Sequence, residues 1–167
     1  GGHKASEVKF QSYLSKQPIS IVIINGHGGP SEVAGKNNEI ILSTTNGCDL
    51  LKGKKVFIRA CDAGTALGPA LMKAGAQGFI GYSQPFIFAR DPDSLHTPLT
   101  DEYAAPVLEC SNQVGISLIK GKNIYEAQQE SLSKYRETID KFSNSKTAHT
   151  FILPFLLWNM SCQICYC

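Results

Sequence analysis

Two short stretches carry residue types that could do covalent chemistry. In "INGHGGP", His27 sits between glycines directly after a run of β-branched aliphatic residues. In "VFIRACDAG", Cys61 ends a second apolar run, 34 residues further on. A thiol beside an imidazole is a nucleophile with a proton acceptor at hand, because the imidazole and its cation lower the free energy of the thiolate. Gly28 would let a substrate approach closely and offer its backbone N–H. With the N–H of Cys61, read as lying at the mouth of a following helix, it would form an oxyanion hole with the helix dipole behind it. Asp62 is the candidate cap of that helix, and Gly64 gives the turn room.

This chemistry requires the two stretches to meet, which depends on the elements that carry them. Residues 19–24 form a near-continuous apolar run ended by Asn25-Gly26, the pattern of a central parallel strand buried on both faces. "EIILST", 39–44, reads as a neighbouring strand or a hairpin arm, and "KKVFIRA", 54–60, as a further strand driving into the core. Helical spacing of Leu67, Leu71 and Met72 predicts a helix over 65–74 closed by Gly75, and "AQGFIGYS" returns as a strand. Strand, helix and strand make a βαβ unit, so the expected fold is α/β with a mostly parallel sheet and helices on both faces. In such sheets ligands gather outside the carboxyl ends of the strands, where His27 and Cys61 both lie.

Residues 84–99 hold three prolines and no periodicity and read as a long surface loop. Helices are expected over 101–120, with Thr100 as N-cap, and over 124–142, the second with one solvated charged face. "AHTFILPFLLW" starts as a final strand that Pro154 breaks, and residues 153–167 are expected to be an irregular tail. The C-x-x-C spacing in "CQICYC" could hold zinc, but without a second ligand pair a frayed end is favoured.

The chain's 167 residues suit a single domain. A net charge of +2, 18% charged residues and no long basic block leave no nucleic-acid footprint. There is no stretch of 18 apolar residues and no signal-peptide core, so a soluble, non-membrane domain is expected. Six cysteines, three scattered and three crowded at the end, do not form a disulfide framework. They favour a reducing, cytoplasmic setting, with a secreted or injected protein still compatible.

Taken together, "INGHGGP" and "VFIRACDAG" resemble the His-Gly and Ala-Cys motifs of the caspase-like cysteine peptidases, which include caspases, legumains, metacaspases, gingipains and CHAT-domain proteases. The spacing is more similar to the gingipain and CHAT branches, and the resemblance covers roughly residues 19–83. It implies a caspase–hemoglobinase fold and a His27–Cys61 dyad that hydrolyses peptide bonds. The N–H groups of Gly28 and Cys61 hold the oxyanion, and neither metal nor cofactor is needed. In that superfamily the residue two before the nucleophile lines the pocket for the P1 side chain. Here it is Arg59, on the face of Cys61 by strand alternation, and a guanidinium there predicts preference for Asp or Glu. Tyr82 and Ser83 match pocket-wall positions, and Asp91 and Asp93 in the long loop suit self-cleavage, although a proline follows Asp91. The implied partner is a peptide or protein substrate, with room for a regulatory partner or a larger multidomain context.

Two other readings fit parts of the pattern. Caspase-like folds include inactive scaffolds or regulators, although these usually lose His or Cys. "NGHGG" also resembles the motif of metal-dependent creatininase-type amidohydrolases, whose chemistry needs several His, Asp and Glu ligands. The chain has four histidines, His3, His27, His96 and His149, and no such ligand set upstream. An esterase oxyanion loop would need a G-x-S-x-G elbow, which is absent.

Overall fold

The computed structural model describes residues 6–91, 101–144 and 148–167 of the chain. It is a mixed α/β fold with two sheets flanked by helices, and it divides into two compact units. The first unit runs to Phe86 and takes back Gln163–Cys167; the second is Ile87–Cys162.

In the first unit a four-stranded sheet has the order β1 (Ile21–Asn25), β5 (Lys55–Arg59), β6 (Gly78–Tyr82), β7 (Gln163–Tyr166). β1, β5 and β6 are parallel, and β7 runs antiparallel to β6. A second, wholly antiparallel sheet is formed by β2 (His27–Gly29), β3 (Glu32–Ala34) and β4 (Ile40–Ser43). Parallel pairing is therefore confined to three strands. Val56, Phe57 and Ile58 are all buried, so the continuous apolar run of β5 marks the strand covered on both faces. β1 was expected at the centre but lies at the edge: Val22 and Ile24 face the core, while Ile23 is 38% exposed. The strand at 39–44 does not flank it, because β4 pairs instead with β3 as a hairpin arm.

Helices α1 (Glu7–Lys16) and α2 (Leu67–Lys73) pack on this unit, and Leu14, Leu67 and Leu71 join Val22, Ile24, Val56, Ile58 and Phe79 in one core. α2 connects β5 to β6 as the βαβ pattern requires, although it begins two residues later than the sequence suggests.

The C-terminal expectation is overturned. Residues 148–152 form a 3-10 turn, and Leu153–Cys162 is a helix, α5. Pro154 stands in its first turn, where a missing N–H costs nothing and the fixed φ favours the helix. The last residues are strand β7, not a tail: Ile80 pairs with Cys165 and Phe79 with Tyr166.

In the second unit α3 (Ala104–Ile119) packs on α4 (Ile124–Ser143). α4 buries Ile124, Ala127, Ser131 and Tyr135 at helical spacing and turns its charges outward, as its periodicity predicts. A capping box between Asn123 and Glu126 starts it. Thr100, the expected cap of α3, lies outside the described residues. Asp101 does that work: its carboxylate accepts from the N–H groups of Tyr103 and Ala104 at 2.9 and 3.0 Å, and from Asp91 at 3.1 Å. Burial raises its pKa, but these N–H donors and the nearby Arg90 outweigh burial and hold it below the usual carboxylate value. Among the described residues, no helix is long and apolar enough to cross a membrane.

Candidate functional site

The site begins where β1 and β5 end together. Asn25 and Arg59 are register partners, and the Gly26 N–H continues the ladder by donating to the Arg59 carbonyl at 3.3 Å. His27 then opens β2, exposed to solvent, while Cys61 opens the turn 61–66 and is half-buried. Gly28 lies against the second motif: a Cβ there would stand 3.1 Å from Ala60 Cβ and 2.7 Å from the Glu32 carbonyl oxygen. A third tie comes from Pro30, whose carbonyl accepts the N–H groups of Ala66 and Leu67 at 3.2 and 2.8 Å. Backbone hydrogen bonds thus join the segment around His27 to the segment around Cys61 on either side, through Gly26 to Arg59 and through Pro30 to Ala66 and Leu67. No hydrogen bond joins the His27 and Cys61 side chains among the described residues.

Pro30 also revises the electrostatics expected at Cys61. α2 starts only at Leu67, and its entrance is satisfied by the Pro30 carbonyl, so the helix dipole does not stand directly behind the Cys61 N–H. Asp62 does not cap α2 either. It occupies the left-handed region at φ 56°, and its carbonyl accepts from Thr65 N–H and Oγ1 at 2.9 and 2.8 Å. Aspartate tolerates that conformation better than most side chains, and it turns the chain sharply right after Cys61. Gly64 fixes the far side of the turn, donating to the Tyr82 carbonyl at 2.9 Å and accepting from Tyr166 Oη at 3.1 Å. It is packed rather than roomy, since a Cβ would run into the Ile164 side chain and stand 2.9 Å from the Tyr82 carbonyl oxygen.

Arg59 is the last residue of β5 and half-buried. Because the strand ends there, alternation does not extend to Cys61. Its guanidinium carbon lies over the Phe86 ring, 5.5 Å from the centroid. Tyr82, the last residue of β6, is fully buried, with its hydroxyl accepting from Gln163 Nε2 at 3.2 Å and its ring edge-on to Phe86 at 4.9 Å. Tyr82 is therefore a core residue, and Ser83 after it is half-buried. Asp91 is described and Asp93 is not.

Sequence reasoning missed Pro30, Phe86 and Gln163. Pro30 acts through a backbone carbonyl, which leaves no mark on residue choice. Phe86 left one: "PFIF" is too apolar for a fully solvated loop.

For the metal reading, no three His, Cys, Asp or Glu side chains come together among the described residues. His3 and His96 fall outside those residues, as does the side chain of His149. Cys162 closes α5 and Cys165 sits in β7.

The thiols differ in environment. Burial, aided by Asp49, raises Cys48; burial pushes Cys110 up to about 11; burial and the neighbouring Cys167 push Cys165 up to about 12. Alkylation proceeds through the thiolate, so these three stay protonated and slow at neutral pH. Brief iodoacetamide treatment at pH 7 followed by peptide mass mapping is expected to label Cys167 and Cys61 first. Early labelling of Cys110, which is 0% exposed, would contradict the burial on which this order rests.

No protein-family model matches the chain, and no curated protein or solved structure matches it significantly.

Proposed function

We propose that the protein is a cysteine endopeptidase of the caspase-like type, using His27 and Cys61 to hydrolyse peptide bonds, with preference for an acidic P1 residue. One observation carries this reading: the His27 hairpin and the Cys61 turn follow register-matched, adjacent parallel strands, and the segments are joined by backbone bonds through Gly26 and Pro30. It supports the reading because His27, exposed, and Cys61, half-buried, each follow the carboxyl end of one of those two strands.

The Cys61 thiolate attacks the scissile carbonyl carbon and forms the C–S bond. The N–H groups of Gly28 and Cys61 face the developing oxyanion. On collapse the C–N bond breaks, and the His27 imidazolium gives its proton to the leaving amine. Water, deprotonated by His27, then hydrolyses the thioester and restores the thiol. Arg59 receives the carboxylate of P1 Asp or Glu, and Ser83 borders that pocket. A reducing, cytoplasmic compartment suits a free catalytic thiol.

A fluorogenic panel with Asp, Glu, Asn, Lys or Arg at P1 tests the reading. Turnover is expected after Asp or Glu, and Cys61→Ala and His27→Ala are each expected to lower kcat at least about 10^3-fold. Robust cleavage after Lys or Arg would sink the acidic preference. A protein inert to every peptide and to thiol-reactive acyl inhibitors would instead be a silent scaffold.

A further inference from the structure

We propose that Cys165 and Cys167 are an oxidant-responsive dithiol that closes to a disulfide with a hydroperoxide as electron acceptor, and that closure is passed through Tyr166 to the turn opened by Cys61. The pair lies at the end of β7, the edge strand of the four-stranded sheet, and both thiols are unbridged. Ile164 and Tyr166 turn to one face of that strand. Ile164 covers Gly64, while Tyr166 packs on Phe79 and donates its hydroxyl to the Gly64 carbonyl at 3.1 Å. Gln163 turns to the other face, towards the Tyr82 hydroxyl. Alternation puts Cys165 and Cys167 on the face of Gln163, and their side chains are hydrogen-bonded to each other. Cys165 is half-buried and paired opposite Ile80, whereas Cys167 is exposed and lies beyond the ladder.

Exposure divides the work between the two sulfurs. Cys167 meets hydrogen peroxide first: its thiolate attacks one oxygen, the O–O bond breaks, and the other oxygen leaves as hydroxide and takes a proton to become water. The Cys165 sulfur then attacks the sulfur of the Cys167 sulfenic acid. The S–S bond forms, the S–O bond breaks, and the departing hydroxide takes the Cys165 proton as a second water. The two thiols have lost two electrons and the peroxide has gained them. Closure also has a mechanical consequence. Residues two apart in an extended strand have Cα atoms about 6.6 Å apart, against about 5.5 to 6 Å in an unstrained disulfide. The end of β7 is therefore drawn in and Tyr166, between the cysteines, is tilted away from Gly64. A strained bridge is more easily reduced, which makes the change reversible.

The test is treatment of the full chain with a modest excess of hydrogen peroxide at pH 7, blocking of the remaining thiols with N-ethylmaleimide, and mass mapping without reduction. A Cys165–Cys167 bridge is expected, opened again by dithiothreitol. Cys165→Ser is expected to stop at the Cys167 sulfenic acid and to trap at least about tenfold more dimedone than the unaltered chain, because no resolving thiol is held beside it. Cys167→Ser, at an exposed position outside the strand, is expected to leave Cys165 unmodified. A bridge from Cys167 to any other cysteine, or equal dimedone trapping with and without Cys165, would overturn the pair.

The link to the turn is read separately, by the amide resonances of Gly64 and Thr65 in a Cys61→Ser background, where oxidation at position 61 cannot contribute. Both are expected to move on oxidation, to return with dithiothreitol, and to stay in place when Cys167→Ser is added. Adding Tyr166→Phe instead, which keeps both thiols and lacks the hydroxyl bond, is expected to form the bridge with a smaller shift at Thr65. A bridge that leaves both amides where they were would keep the dithiol and defeat its link to the turn.

Discussion

Gly28→Ala is expected to abolish most of any hydrolytic activity and to lower stability by about 1 to 3 kcal/mol, whereas Gly29→Ala is expected to leave both unchanged. Both glycines follow the proposed proton donor and neither sits in the left-handed region, so the contrast is purely steric. A methyl group at 28 would stand 2.7 Å from the Glu32 carbonyl oxygen and 3.1 Å from Ala60 Cβ. The first neighbour is backbone, held by the β2–β3 pairing in which Gly28 faces Val33, and cannot rotate away. Relief requires the β2–β3 pairing to distort at Glu32 and the hairpin to shift away from Ala60, which displaces His27 next to it. At Gly29 nothing lies within 4 Å of the added atom. Denaturant midpoints with peptide turnover check the pair. Equal midpoints for the two variants would show that the hairpin is not seated against Ala60.

Deleting Gln163–Cys167 is expected to remove the cooperative unfolding transition altogether, as read by near-ultraviolet circular dichroism against denaturant. These residues supply the antiparallel partner of β6, all five residues of which are buried. Without β7, one side of β6 would present unpaired backbone groups in an apolar setting, each costing about 1 to 3 kcal/mol. Its side chains do as much: Tyr166 packs its ring on Phe79 at 6.0 Å and bonds Gly64, Ile164 covers Gly64, and Gln163 holds Tyr82. Tyr166→Phe removes only the hydroxyl bond and should cost about 0.5 to 1.5 kcal/mol. A truncated chain that unfolds with the full-length midpoint would return the terminus to the status of a frayed end.

The site was legible where its residues carry chemistry in their own side chains. His27, Cys61, Arg59 and the glycines stand out by type and by position after apolar runs, and β5, α4 and the β5–α2–β6 crossover follow from local periodicity. What was not legible depended on partners distant in sequence. β1 and β5 have similar apolar runs, yet β1 takes the edge because β4 pairs with β3 instead. Asp62 looks like a cap by type, but the turn beneath it needs a left-handed residue, and α2 starts five residues later.

By itself, then, the sequence determined the α/β character, the strand β5 driving into the core, the amphipathic α4 and the placing of His27 and Cys61 just after strands. These depend on propensity, periodicity and side-chain chemistry, all encoded within a few residues. Only the tertiary structure decided that "QICY" completes the sheet, that the Pro30 carbonyl closes the entrance to α2, and that Phe86 lies over Arg59. Each of those depends on a backbone group or an apolar surface finding a partner tens of residues away. Many segments could have satisfied the same hydrogen-bonding or burial need, and only packing of the whole chain selects among them.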